Sequence, residues 1–136
     1  MRSKQFGATA IEFALIFPLL FLVLDGVMEF SIVMYDKVIL TNAAREAVRA
    51  GVVLRTPKLS NEEISAVAQS YCANYLLSFG DTHTANITVD QASAPTFQTS
   101  LGVTVTYTYR SLMMSSVLSA LNMPIVLTSH ATGMNE

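Results

Sequence analysis

Residues 7–24 of the chain read GATAIEFALIFPLLFLVL, and this stretch decides what kind of protein it is. Apart from Pro18, every residue from 13 to 24 is Ala, Val, Ile, Leu or Phe. One carboxylate, Glu12, stands directly before this apolar run. Because an ionised side chain at the centre of a membrane-spanning helix costs about 2.5–3.5 kcal/mol, an acid in this position indicates a function.

The apolar run is the centre of a predicted membrane span. Its twelve uncharged residues are fewer than the ~20 that cross the hydrocarbon of a bilayer. Residues 8–34 make about 40 Å of helix at 1.5 Å per residue, interrupted by Glu12, Asp25 and Glu29. We therefore predict a membrane part of about residues 8–34, whose acidic C-terminal end emerges among the lipid headgroups.

Composition excludes some classes of protein. The chain has 136 residues, of which 51% are hydrophobic and 13% charged, with a net charge of −2. This length allows one small domain besides a membrane helix, and neither the charge nor its distribution suggests a nucleic-acid partner.

Cys72 is the only cysteine, so no intrachain disulfide is possible. A buried apolar role is favoured for it over a reactive or dimer-forming thiol.

The residues before the span are basic, with Arg2 and Lys4 among the first seven. An ordinary secretory signal is disfavoured, because Glu12 lies within the segment that should be uncharged. The run also ends Val23-Leu24-Asp25-Gly26, without a small-x-small cleavage site. An uncleaved signal anchor remains open, although it gives no reason for Glu12.

Gly7, four further residues and Glu12 resemble the processing site of type IV prepilins. The resemblance implies that residues 1–7 are a cytoplasmic leader and that a prepilin peptidase cuts after Gly7. Ala8 then carries a new α-amino group. When such helices pack with a small axial offset, this cation can meet the Glu12 carboxylate of a neighbour, and neither charge stays buried without a partner.

A second block, NAAREA at residues 42–47, lies downstream of the span. Together the two blocks resemble the TadE-like family, minor pseudopilins and related assembly proteins of Tad (Flp) pilus systems. Asp25 departs from the family pattern, where an apolar residue is expected. The matching residues are Gly7, Glu12-Phe13-Ala14-Leu15, Pro18-Leu19-Leu20, Gly26, Glu29-Phe30, Asn42-Ala43-Ala44-Arg45-Glu46-Ala47 and Arg49.

The resemblance implies a non-catalytic protein without a cofactor, held in the bacterial inner membrane by a single pass. Its N-terminus would be cytoplasmic and its C-terminal domain periplasmic. The expected partners are prepilin peptidase, other Tad pilins or pseudopilins, inner-membrane assembly proteins and inner-membrane lipid. Incorporation into a pilus stays open. The residues assigned to helix packing and assembly are Glu12, Phe13, Pro18, Asp25, Gly26 and Glu29.

Three of these residues also have a physical interpretation. Pro18 removes one helical hydrogen bond and should kink or loosen the helix. Asp25 and Glu29 are four residues apart and therefore share one helical face. They either meet basic partners on neighbouring subunits or, as is more usual, mark the boundary with water.

Beyond the span, an extended helix of about residues 35–51 is predicted, so that the N-terminal helix occupies residues 8–55 with its connection. Asn42, Arg45, Glu46 and Arg49 form the extended-helix motif. Gly51 and Thr56-Pro57 should end the helix. Four charged residues of this helix are expected on a solvated face: Lys37, Arg45, Glu46 and Arg49. The alternative is that this charged face is a basic site for lipid headgroups. Apolar residues follow helical spacing at Ile32, Tyr35, Ile39, Ala43 and Ala47, and at Val38, Leu40, Ala44 and Val48.

Residues 56–136 should form a periplasmic α+β head. Ser60 and Glu63 predict a capping box that begins a helix running to Gly80. Its buried face is predicted to hold Ile64, Val67, Ala68, Tyr71, Cys72, Tyr75 and Leu76. Alternating apolar residues predict strands at 87–89, 101–109 and 124–131. The predicted fold class is thus α+β and pilin-like, with a long transmembrane helix and one or two head helices packed on a roughly three-stranded antiparallel sheet.

Residues 111–123 fit a short amphipathic helix or an apolar loop. Methionine-rich surfaces suit adaptable partner binding, so this segment is either core, which is favoured, or a contact surface. Its apolar members are Leu112, Met113, Met114, Val117, Leu118 and Met123.

No catalytic or metal-binding motif is present in the sequence. His83, His130 and Cys72 are isolated from one another along the chain, so no metal site and no enzymatic activity are expected. The alternative to the pseudopilin is an uncleaved, signal-anchored periplasmic binding or sensor module.

Overall fold

The computed structural model describes residues 5–54, 56–79, 84–91, 98–111 and 124–135. The chain divides into two compact units, Met1–Ile32 and Val33–Glu136. The helices and strands are α1 (Gln5–Val52), α2 (Asn61–Tyr75), β1 (Asn86–Gln91), β2 (Ser100–Tyr109) and β3 (Ile125–Met134).

The first unit contains the N-terminal part of α1. This helix is unbroken from Gln5 through Pro18, although Pro18 has no amide hydrogen to donate to the Ala14 carbonyl. The rings of Phe13 and Phe17, one helical turn apart, lie 5.6 Å from each other between centroids. A single continuous helix therefore carries the whole predicted membrane part.

The second unit contains a three-stranded antiparallel sheet in the order β1-β2-β3. Val103 pairs with Val89 on one side and with Ala131 on the other. Side chains alternate across a strand, which accounts for the burial of one face of β2. The observed helices and the three-stranded antiparallel sheet confirm the predicted α+β class and the three predicted strands. The buried β2 side chains are Leu101, Val103, Val105, Tyr107 and Tyr109.

The C-terminal part of α1 buries one stripe of side chains in the second unit. Tyr35 and Val38 were predicted to lie among the apolar packing positions, but both are exposed. The reason is helical geometry: two residues turn the helix by about 200°, so Val38 lies opposite Leu40. The buried apolar residues of the stripe are Ile39, Leu40, Ala43, Ala44, Ala47 and Val48.

α1 ends at Val52, within one residue of the end predicted from Gly51 and Thr56-Pro57, and Gly51 lies in its last turn. A Cβ atom at this position would touch Leu101 Cδ2 and come within 2.9 Å of Ile64 Cδ1. Glycine at position 51 therefore lets α1 pack closely against α2 and β2, and any larger residue would displace the side-chain ends of Leu101 and Ile64.

The predicted capping box at the start of α2 is confirmed. Ser60 Oγ accepts a hydrogen bond from the Glu63 amide at 3.2 Å, and Glu63 Oε2 accepts one from the Ser60 amide at 2.8 Å. Ile64, Ala68 and Cys72 form the buried face of the helix.

The predicted end of α2 at Gly80 is wrong, because the helix ends at Tyr75 and Leu76 is extended. The Leu77 amide donates to the carboxylate of Asp36 at 3.0 Å instead of continuing the helical ladder. Tyr75, predicted on the buried face, is exposed. A tertiary contact thus ends the helix before its own stop signal.

The strand predictions hold within small shifts. Pro124 directly precedes β3, which continues to Met134 instead of ending near residue 131. Residues 112–123, with Met113 and Met114, lie outside the described residues, as does His83. The choice between core and contact surface for that segment therefore stays a prediction.

Cys72 is fully buried, and burial raises the pKa of its thiol from 9.0 to about 11. At pH 8 the thiolate fraction therefore falls about 100-fold, and the thiolate is the species that reacts. We expect alkylation of the folded full-length protein by iodoacetamide to be at least about 100-fold slower than that of the same protein in urea, measured by mass spectrometry. Equal rates in the two states would show that the thiol is accessible.

Candidate assembly surface

The N-terminal part of α1 exposes a continuous apolar surface. Among the described residues, α1 is the one helix long and apolar enough to cross a membrane, and its most apolar 18-residue window has no buried residue. Each large apolar side chain left in water forgoes about 1.5–3 kcal/mol of burial free energy, and the exposed surface is therefore compatible with a membrane anchor. The exposed side chains are Ile11, Phe13, Leu15, Ile16, Phe17, Leu19, Leu20, Phe21, Leu22, Val23, Leu24, Val27, Met28 and Phe30.

Glu12 lies on this surface as an exposed carboxylate. Within the described part of the chain it takes part in no ion pair. Its nearest neighbours along the helix face, Ala8 and Ile16, are apolar, so among the described residues this part of the helix face offers Glu12 no cation.

Gly7 and Gly26 differ from Gly51, because a Cβ atom added at either position meets nothing within 4 Å. Packing against the described residues therefore does not require glycine at either site. Gly7 lies near the start of α1, and a glycine within a helix lowers helix propensity by about 1 kcal/mol.

Asp25 and Glu29 are both half-buried, one turn apart on α1. Ser31, just beyond them, donates its hydroxyl to the Val27 carbonyl at 2.8 Å. Polar side chains thus accumulate towards the C-terminal end of the apolar surface, where the sequence predicts lipid headgroups.

The second motif block lies in the other compact unit. Arg49 forms a bidentate pair with Glu46, with N–O distances of 2.6 and 3.0 Å, and this hydrogen bonding lowers the pKa of Glu46. Arg45 is exposed and Asn42 is half-buried. Surface ion pairs of this kind contribute little to stability, and Arg45 takes part in none of the ion pairs among the described residues.

Sequence reasoning missed the polar residues that join α1 to the head. Asp36 is fully buried and accepts from Leu77, while Lys37, expected on the solvated face, is half-buried and donates to the Thr128 carbonyl. The hydroxyls of Thr41 and Ser129 lie 2.7 Å apart. Extending the spacing of Leu40, Ala43 and Ala47 back by one turn would have placed Asp36 on the buried stripe.

An exposed apolar N-terminal helix, continuing into a small head with a three-stranded antiparallel sheet, defines a pilin-like arrangement compatible with a single-pass membrane anchor. The family model described as TadE-like protein matches residues 7–49. The match confirms, over about a third of the chain, the resemblance seen in the sequence: residues 7–49 are similar to the TadE-like family, which suggests a role related to Tad pilus systems. Neither the curated proteins nor the solved structures provide a match.

Proposed function

We propose that this chain is a minor pseudopilin that assembles through α1 with other pilin-type subunits during biogenesis of a Tad (Flp) pilus. The observation that supports this function is the exposed apolar surface with a lone acid, Glu12, inside the segment matched by the TadE-like family model. Arg2 and Lys4 favour a cytoplasmic N-terminus by the positive-inside rule, and the head is then periplasmic.

The physical basis of assembly is charge pairing within an otherwise uniform apolar contact. Lipid tails are as apolar as leucine, so exchanging lipid for a neighbouring helix gains little hydrophobic free energy. Selectivity then depends on packing shape and on polar groups. A Glu12 carboxylate facing the α-amino group of Ala8 on another subunit satisfies two charges that each cost free energy alone.

The cation for this pair exists only after processing. Removal of residues 1–7 creates it at Ala8, four residues and therefore about one helical turn from Glu12. Assembly is thereby coupled to cleavage: an unprocessed subunit carries the acid without the amine.

We expect the protein isolated from its native membrane to have lost residues 1–7, as measured by intact mass. A Gly7→Val variant should keep its leader, with cleavage at least about tenfold slower, because a β-branched side chain blocks close approach of the peptidase to the backbone. Gly26→Val is the matched control, since position 26 is equally open, and it should be processed normally. Wild-type protein with an intact Met1 would favour the uncleaved, signal-anchored binding or sensor module, and a cut near Gly26 would also contradict prepilin processing.

A further inference from the structure

Helix α2 runs antiparallel to the C-terminal part of α1. Ile64, near the start of α2, lies against Gly51, whereas Leu77, just after its end, is hydrogen-bonded to Asp36. The segment that follows α2 is therefore held beside the first turns of α1 within the head.

Six large side chains within two residues of Asp36 or Leu77 along the chain are exposed, and we call them the basal patch; they share a level along α1 but not a single face of it. Three come from α1, and three come from the end of α2 and the segment after it. Their exposed fractions range from 37% to 57%, which is high for side chains of this size. Three of the six are aromatic. The basal patch consists of Met34, Tyr35, Val38, Tyr75, Leu77 and Phe79.

The position of the patch along the chain indicates what covers it. A bilayer with its headgroups is about 40–45 Å thick, which a helix crosses in about 27–30 residues. Counted from Ala8, the span then ends between residues 34 and 37, so Met34 and Tyr35 lie at the outer headgroups. The Asp36–Leu77 hydrogen bond holds Leu77 at the same level.

We propose that the basal patch docks the head onto the phospholipid interface of the membrane that α1 spans. Tyrosine, with an apolar ring and a polar hydroxyl, is enriched at this depth in membrane proteins. Leu77 and Phe79 insert their side chains beneath the headgroups, and Asp36 acts as a positioning residue by holding their backbone. This inference rests on the membrane anchoring contained in the proposed function.

The chain contains no tryptophan, so a single introduced tryptophan reports its own surroundings. The test compares three full-length variants in phosphatidylcholine–phosphatidylglycerol vesicles containing dibrominated lipid: Phe79→Trp in the patch, Leu54→Trp at the far end of the head, and Phe21→Trp in the span. Leu54 is 75% exposed and follows the end of α1, about 24 Å of helix beyond Asp36.

We expect Phe79→Trp to lose roughly half its fluorescence to brominated lipid, because an interfacial side chain reaches the boundary between headgroups and acyl chains. Leu54→Trp should be quenched by aqueous acrylamide and hardly by brominated lipid. Phe21→Trp should be quenched by brominated lipid, which verifies the span independently of the head.

Three outcomes would overturn the docking proposal. If Phe79→Trp behaves like Leu54→Trp while Phe21→Trp is quenched by lipid, the anchor stands and docking alone fails. If Phe79→Trp is protected from acrylamide but untouched by brominated lipid, protein covers the patch. If Phe21→Trp is not quenched by lipid, the membrane anchor fails, and the proposed function fails with it.

Discussion

Replacement of Glu12 by glutamine is expected to abolish co-assembly with pilin-type subunits while leaving membrane insertion intact. Glutamine has nearly the same size as glutamate, so helix packing is preserved and only the charge is lost. The Ala8 amine of the neighbouring subunit would then lie in a low-dielectric contact without its partner. Breaking one side of a buried charge pair weakens association by about 100-fold or more.

The measurement is co-purification of the processed subunit with other pilin-type subunits after crosslinking in the native membrane. Glu12→Asp keeps the charge on a shorter side chain and should retain part of the association. Glu62→Gln removes an exposed acid from α2 and should assemble normally. Wild-type levels of crosslinked complex with Glu12→Gln would refute the charge-pairing role, whereas a smaller amount of membrane-bound protein would point to an insertion defect.

Leu40→Ala is expected to cause the largest loss of stability in the head. Leu40 is fully buried on the stripe of α1 that packs into the second unit. Truncation of a buried leucine costs about 2–5 kcal/mol, because the transfer free energy is lost and a cavity remains. For a domain of this size, such a loss lowers the Tm by about 10 °C or more.

Val38→Ala is the matched control, because Val38 lies two residues earlier on the same helix and is 57% exposed. It should change the free energy of unfolding by less than about 0.5 kcal/mol. Thermal unfolding of the full-length protein in detergent, followed by near-ultraviolet circular dichroism of the tyrosines, measures both variants. Equal losses for the two substitutions would mean that this part of α1 does not pack as the structure shows.

The elements of the fold were predictable where local chemistry dominates. The capping box of Ser60 and Glu63 is satisfied by neighbours three residues apart, and the alternation from Leu101 to Tyr109 reflects a strand with one buried face. The end of α2 was not predictable in the same way. Leu77 leaves the helix because its amide finds Asp36, 41 residues earlier, and no local pattern contains that contact.

The residues of the candidate assembly surface and its surroundings divide in the same way, into those recognisable from the local sequence and those that only tertiary contacts reveal. Gly7, Glu12 and the apolar run need no tertiary contact to be recognised, since solvation alone makes an acid before such a run costly. The different needs for glycine at positions 7, 26 and 51 became visible only through the space around each Cβ atom. Lys37 and Asp36 resemble solvated charges in sequence, yet both bind backbone groups of the head.

By itself, the amino-acid order determined that this protein has an apolar N-terminal helix with one acid at its start and an α+β domain after it. Hydropathy, helix capping and strand alternation are properties of residues and their near neighbours, so they can be read along the chain. Tertiary structure alone decided which charges are buried, where α2 ends and which apolar side chains remain exposed around Asp36. Those outcomes depend on contacts between residues far apart in the chain, such as Asp36 and Leu77, and only folding brings such residues together.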